Sequence, residues 1–134
     1  MKKETNENSW GEVIYAYTRK QAIEDGGQVA VPVETSQEAG LKFPVFITRE
    51  AWNKYVLVPQ GVIAQDESGR LFDLLWMLRF AIQRCSQDGN TLLFQLYLRN
   101  DNTKARLVTL KCMVGPVDVD DPRPALSIMM KDED

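Results

Sequence analysis

The sequence predicts an α+β fold: one long buried helix packed on a C-terminal three-stranded antiparallel meander, with short N-terminal strands and helices. Apolar residues recur at helical spacing near residues 70–86. Three later runs alternate apolar and polar side chains, as half-buried strands do. The 134 residues, 44% apolar and 26% charged, have the size and composition of one ordinary globular domain.

Polarity divides the chain into a leader and a domain. Residues 1–9 are polar and lack the apolar segment of a secretory signal, which predicts a disordered leader and a cytoplasmic protein. No apolar run is longer than five residues, the length of Leu74–Leu78, whereas a membrane-spanning helix needs about twenty. We therefore expect no membrane span and a single α+β domain over residues 10–134, with a frayed acidic end at residues 131–134.

The first predicted elements are short. Glu12–Tyr17 alternates like a strand, and Arg19–Asp25 should form a helix. Thr18 and Gln21 have the spacing of a capping box, in which each side chain binds a backbone N–H group of the first turn. Gly26 then provides a typical helix end.

An extended segment follows in which Val29, Val31 and Val33 alternate as a strand. Pro32 indicates a sheet edge, because proline cannot donate a ladder hydrogen bond. The next predicted elements are a helical turn over Ser36–Ala39 closed by Gly40, an extended segment over Phe43–Ile47, a helix capped by Thr48 that includes Arg49, Trp52 and Tyr55, and a loop over Gln60–Gly69.

The long helix has two apolar sides. One face follows the i, i+3, i+4, i+7 pattern and consists of Leu71, Leu74, Leu75, Leu78, Ile82 and Cys85. Aromatic residues recur every four positions nearly opposite that face, at Phe72, Trp76 and Phe80. The helix should therefore either lie between two layers or expose an aromatic stripe to a partner.

The C-terminal third predicts the meander. Asn100–Thr103 has strong turn chemistry and should join the first two strands as a hairpin. The expected inner-face residues are Phe94, Leu96 and Leu98 in the first strand, Val108, Leu110, Cys112 and Val114 in the second, and Leu126, Ile128 and Met130 in the third. This apolar face should pack against the leucine face of the helix.

Composition limits the chemistry. The chain has no histidine, which excludes histidine general bases, histidine-containing catalytic triads and histidine metal ligands. The remaining possibilities are acid–base catalysis by carboxylates or lysine, binding of a hard metal ion by Asp and Glu, or no catalysis. The net charge of −3 opposes nonspecific attraction to nucleic acid. Cys85 and Cys112 lack CxxC spacing and lie on apolar faces, so we expect buried reduced thiols, with a disulfide or a reactive thiol as the alternative.

The first candidate site is aromatic and would bind a protein partner. Trp is a frequent anchor of protein interfaces when it is exposed, although core packing is the ordinary role of such residues. The candidate residues are Phe72, Trp76, Phe80 and Trp52. Trp10 belongs to the same aromatic set.

Two further candidates are charged. Tyr15, Tyr17, Arg19 and Lys20 surround the start of the first helix, where free N–H groups favour an anion such as a nucleotide phosphate; cap and surface packing is the alternative. Asp118, Asp120 and Asp121 offer oxygen ligands for calcium or magnesium, but they lack the glycine and terminal glutamate of a calcium loop, which favours a solvated turn.

Several segments together resemble a family of small bacterial, plasmid and phage proteins known only as a domain of unknown function. The likeness covers most of residues 14–134 and breaks at Val117, where the family has a glycine-rich acidic turn. Its motifs are Tyr17-Thr18-Arg19, Gln21–Gly26, Phe43-Pro44-Val45, Thr48-Arg49, Trp52, Gly69-Arg70-Leu71, Asp73, Leu75-Trp76-Met77, Leu107–Lys111, Gly115-Pro116 and Ile128-Met129-Met130. The resemblance implies a mobile-element context and brings no activity, cofactor or catalytic residue.

The leading functional hypothesis is a non-catalytic protein-binding module that uses aromatic residues with an acidic rim and inhibits a host defence system, as the resemblance suggests. If the aromatic stripe is exposed, it would also favour self-association. The alternative is a protein that sequesters a nucleotide-like signal. A carboxylate- or metal-dependent hydrolase is the third hypothesis.

Overall fold

In the computed structural model, residues 17–85 and 89–133 are described, and within them lie five strands and four helices. The helices are α1 (Arg19–Glu24), α2 (Val33–Glu38), α3 (Arg49–Ala51, continued by a π-helical turn, Trp52–Val56) and α4 (Glu67–Arg84). The strands are β1 (Gln28–Ala30), β2 (Val45–Thr48), β3 (Thr91–Leu98), β4 (Arg106–Asp118) and β5 (Asp121–Met130). The expected α+β class is confirmed.

The strands form one mixed sheet in the order β1-β2-β5-β4-β3. The meander of β3, β4 and β5 is antiparallel, as predicted. The sequence did not predict that β2 extends this sheet by pairing parallel to β5, with Ile47 opposite Ile128. β1 pairs antiparallel with β2 and forms one edge, which confirms the edge indicated by Pro32.

The sheet has two differently covered faces. α4 packs on the inner face, where Leu74, Leu75, Leu78, Leu110 and Ile128 are fully buried. The short helix α1 lies on the outer face, because its Arg19 guanidinium contacts Phe46 and Ser127, which pair with each other and alternate with the core residues of β2 and β5.

Local capping explains where the helices begin. Thr18 and Gln21 form the predicted capping box of α1, and the Thr48 hydroxyl accepts a hydrogen bond from the Ala51 N–H group in α3. The Asp66 carboxylate accepts one from the Gly69 N–H group, so α4 begins at Glu67 rather than near residue 70. The long helix therefore lies where it was predicted, but it begins a few residues earlier.

One predicted strand boundary is wrong, and two side chains differ from their expected burial. Val33 does not continue β1, because the chain leaves the sheet at Pro32, the residue that precedes the first turn of α2. Val114 lies on the predicted inner face, since it pairs with Leu126, but its side chain is 42% exposed. Met129 pairs with Lys111 and alternates with the core residues of β5, yet it is 6% exposed.

Both ends of the chain bear on further predictions. The leader (1–9), most of the strand over Glu12–Tyr17, and the side chains of Trp10 and Tyr15 lie outside the described residues. Near the other end, Glu133 Oε1 accepts hydrogen bonds from the Thr48 hydroxyl and the Met130 N–H group.

Among the helices of residues 17–85 and 89–133, none is long and apolar enough to cross a membrane.

Candidate functional site

The leucine face of α4 is buried only in its first three turns. Leu71 is 7% exposed, and Leu74, Leu75 and Leu78 are fully buried, as predicted. Ile82 is 38% exposed, and Cys85 lies exposed just beyond the helix end. The burial predicted for these last two residues is wrong, because the end of α4 and the sheet leave a gap of about 220 Å³ that they line together with Leu92 and Val114.

The aromatic stripe of α4, defined as Phe72, Trp76 and Phe80, lies at the surface. Trp76 is 44% exposed and Phe80 is 45% exposed, while Phe72 is half-buried. The rings of Phe72 and Trp76 are stacked, with 6.0 Å between centroids and an interplanar angle of 17°. Of the two arrangements that the sequence allowed, the structure shows the exposed stripe.

Two arginines border the stripe. The guanidinium carbon of Arg79 lies 5.3 Å from the centre of the Trp76 ring, and that of Arg84 lies 5.4 Å from the centre of the Phe80 ring. Cations prefer the face of an aromatic ring, whose electrons carry partial negative charge. The charges in contact with the stripe are therefore basic, whereas an acidic rim was expected from the sequence.

Arg79 also connects the stripe to a groove. Gly40 adopts a φ of +87°, and a β-carbon added there would collide with the Arg79 side chain. The glycine therefore gives the arginine room between α2 and α4. Beyond Arg79 lies a groove of about 450 Å³ whose lining includes Leu41, Lys42, Phe43 and Ile82.

Trp52 occupies a different environment from the stripe. It begins the π-helical turn after α3 and packs, half-buried, against the core. Tyr55, which shared its predicted face, is 7% exposed. Trp52 therefore contributes to packing at the edge of the core. A smaller fraction of its side chain is exposed than for Trp76 or Phe80.

The predicted anion site at α1 holds an anion of the chain itself. The Asp118 carboxylate accepts hydrogen bonds from the backbone N–H groups of Arg19 and Lys20, at 3.1 and 3.0 Å. The Arg19 guanidinium donates to the carbonyls of Pro116 and Val117 and to the side chains of Gln28 and Ser127. The backbone N–H groups at the start of α1 and the Arg19 guanidinium were expected to bind a nucleotide. In the structure they form hydrogen bonds within the chain.

Tyr17, a further residue of that candidate, is bonded to the C-terminal end of α1. The Tyr17 hydroxyl donates to Asp25 at 2.5 Å, which raises the pKa of the tyrosine, and the Tyr17 ring is 62% exposed. A cleft of about 230 Å³ lies between Tyr17, Arg19 and Asp118. Tyr15 lies outside the described residues.

The three aspartates considered for a metal point to separate partners. Asp118 binds the start of α1, and Asp121 forms an ion pair of 2.6 Å with Arg123. Asp120 is exposed in the turn between β4 and β5. In the part of the chain that the structure describes, no group of three or more cysteine, aspartate or glutamate side chains is arranged to hold a metal ion.

Arg70 is a buried charged residue that was not among the candidate site residues predicted from the sequence. Its side chain is 4% exposed and donates to the carbonyls of Tyr55 and Arg99 and to the Asn100 side chain. Burial lowers its pKa. The available signal was its position four residues before Leu74, which places an arginine on the buried face of α4. Arg70 joins α3, α4 and the β3–β4 turn.

Comparison with known families bears on the resemblance noted in the sequence. The sequence pattern of a family of unknown function, DUF6573, matches residues 6–134. No significant match was found among curated proteins or solved structures. Because the family match spans nearly the whole sequence, the chain belongs to the family of unknown function DUF6573.

Proposed function

We propose that this protein is a non-catalytic binding module that presents the aromatic stripe of α4 to another protein. The observation that carries the proposal is the exposure of Trp76 and Phe80, 44% and 45%, on a helix whose opposite face forms the core. Tryptophan and arginine are enriched among the residues that dominate binding energy at interfaces. The stripe and the two arginines that border it combine both residue types.

The surface is suited to binding because it is held in place before a partner arrives. α4 has 18 residues, and its leucine face fixes it to the sheet. Stacking of Phe72 on Trp76 and the contact of Arg79 with Trp76 restrict the exposed rings. A restricted side chain loses little conformational entropy on binding, so more of the contact energy appears as affinity.

Charge defines the partner's chemistry. Arg79 and Arg84 contact the rings, and Lys42 lines the adjoining groove. A complementary partner surface would insert an apolar side chain into the groove and place carboxylates beside the two arginines. The groove volume of about 450 Å³ accommodates one large side chain or several small ones.

The proposal places the module in the cytoplasm, where its partner would be a protein of a host defence system. This extension rests on the resemblance to proteins of mobile elements. It is tested separately, by measuring whether cells that express the protein lose resistance to phage and whether Trp76→Ala abolishes that effect.

Photo-crosslinking tests the binding surface. A benzoyl-phenylalanine placed at position 80 should capture a specific protein in cells, and the purified partner should then bind the wild-type chain in calorimetry. Trp76→Ala and Arg79→Glu should each weaken that binding at least about tenfold, or roughly 1.4 kcal/mol. Tyr17→Ala, which removes an exposed aromatic ring from the α1 side, should leave it unchanged. Equal weakening by Tyr17→Ala, or none by Trp76→Ala, refutes the proposal.

A further inference from the structure

Within the part of the chain that the structure describes, the edge strand β3 lacks the usual protection against pairing with another strand. It runs over eight residues, Thr91–Leu98, at the end of the sheet order, and within residues 17–85 and 89–133 its ladder partner is β4. Its sequence contains no charged residue and no proline. Natural edge strands are commonly blunted by lysine, proline, bulges or short length, because their unpaired backbone groups attract other strands.

Apolar side chains accompany this open edge. On the outer face, Leu93 is 54% exposed and Tyr97 is 72% exposed, and Leu107, opposite Tyr97 in β4, is 50% exposed. On the inner face, Phe94, Leu96 and Leu98 are buried at the margin of the core. The edge therefore offers an apolar surface on one face and the end of a core on the other.

We infer that β3 pairs antiparallel with β3 of a second copy of this chain, across a two-fold axis at Gln95, to form a continuous ten-stranded sheet from two five-stranded ones. Across a two-fold axis, each copy contributes the same strand to the interface. A charged residue on the axis would lie opposite the same charge of the second copy and repel it, and β3 contains no charged residue.

The side-chain pattern selects the axis. With Gln95 on the axis, Leu93 lies opposite Tyr97 of the second copy on the outer face, and Phe94 lies opposite Leu96 on the inner face. Apolar residues therefore meet apolar residues on both faces, and the two Gln95 amides can bond to each other. An axis at Phe94 would instead pair Leu93 with Gln95 and Tyr97 with Thr91, which mixes apolar and polar groups.

Backbone hydrogen bonds between the two copies of β3 would add to these side-chain contacts. In an antiparallel ladder alternate residues direct both N–H and C=O outward, so two paired eight-residue strands form about eight new hydrogen bonds. The inference is independent of the proposed function, because it concerns the sheet edge and not the stripe of α4.

A charge-swap experiment tests the pairing. Wild-type protein should dimerise in sedimentation equilibrium. Gln95→Lys and Gln95→Glu should each raise the dimer dissociation constant by at least about tenfold, because like charges meet on the axis. An equimolar mixture of the two variants should recover dimers. Val119→Lys, which adds the same charge at an exposed turn, should dimerise like the wild type.

Hydrogen exchange on the wild-type protein provides a second measurement that needs no variant. Alternate amides of β3 should exchange more slowly as concentration rises. The inference is overturned by a wild-type monomer at millimolar concentration, by full dimerisation of both Gln95 variants alone, or by concentration-dependent protection of α4 instead of β3.

Discussion

Oδ1 of Asp118 accepts a hydrogen bond of 3.1 Å from the backbone N–H group of Arg19, which lies 99 residues earlier in the chain. Oδ2 accepts another from Lys20, at 3.0 Å. The last residue of β4 thus supplies the negative charge that is favourable at the N-terminus of α1, where backbone N–H groups lack partners within the helix. The contact fixes α1 on the outer face of the sheet.

Asp118→Asn should lower the melting temperature at neutral pH, because it removes this charge while keeping the side-chain shape. Hydrogen bonds from the N–H groups of Val119, Lys20 and Arg19 hold the pKa of Asp118 below its ordinary value. A depressed pKa stabilises the fold above the unfolded pKa of about 3.9, and this contribution disappears as the pH falls through the lower folded pKa. Melting curves of both proteins against pH should therefore converge in acid. The control is Asp120→Asn, which removes a neighbouring exposed carboxylate and should change the melting temperature little. If the melting temperatures of wild type and Asp118→Asn stay apart in acid, the charge of Asp118 is not the cause of the difference.

Arg70→Met should reduce the free energy of unfolding by about 3 kcal/mol, because it leaves buried acceptors without donors. The acceptors are the carbonyls of Tyr55 and Arg99 and the Asn100 side chain. Arg70→Lys should also destabilise the protein, since one ammonium group cannot replace a planar guanidinium that bonds in several directions. Urea titration measures both variants. Arg106→Met, which removes an exposed ion pair with Asp101, should have a much smaller effect.

The two sides of α4 should respond differently to truncation. Leu74→Ala should cost about 3 kcal/mol, because Leu74 is fully buried and its loss leaves a cavity. Trp76→Ala should cost nearer about 1 kcal/mol, since a ring that is half in solvent leaves no closed cavity. Both values come from chemical denaturation followed by circular dichroism. A Trp76 cost as large as that of Leu74 would identify the tryptophan as part of the core and remove the basis of the proposed binding surface.

Gly40→Ala should destabilise the protein through two separable causes. The left-handed backbone conformation, φ +87°, costs a residue with a β-carbon about 1–2 kcal/mol. The new methyl group would also collide with Arg79. Gly26→Ala is the matched control, because Gly26 has a φ of +83° and open space around it. Denaturation should show a larger loss for Gly40→Ala, and adding Arg79→Ala should remove the excess; equal losses at both glycines would contradict the steric contact.

The two thiols should differ in reactivity. Burial raises the pKa of the Cys112 thiol to about 12, so it stays protonated in the folded state, whereas Cys85 is exposed. Ellman's reagent at neutral pH should therefore modify one thiol rapidly in the native protein and both in denaturant. Mass spectrometry should assign the fast site to Cys85. Rapid modification of Cys112 in native protein would show that β4 opens readily.

The sequence by itself determined the elements whose signals are local. Thr18 and Thr48 cap their helices where the spacing predicted, and the leucine repeat placed the core face of α4. Alternation and turn chemistry placed β3, β4 and the hairpin between them. These features follow from neighbouring residues along the chain, so their periodicity is readable without any knowledge of the fold.

Only the tertiary structure decided which surfaces meet. Periodicity showed that Phe72, Trp76 and Phe80 share a side of α4 but not whether another layer covers it. Asp118 reaches α1 because the sheet brings together residues far apart in sequence, and the same long-range docking pairs β2 with β5 and buries Arg70. Local propensity contains no information on such contacts, since they depend on the relative placement of whole elements. The open edge of β3 and the exposed stripe of α4 are both consequences of that placement.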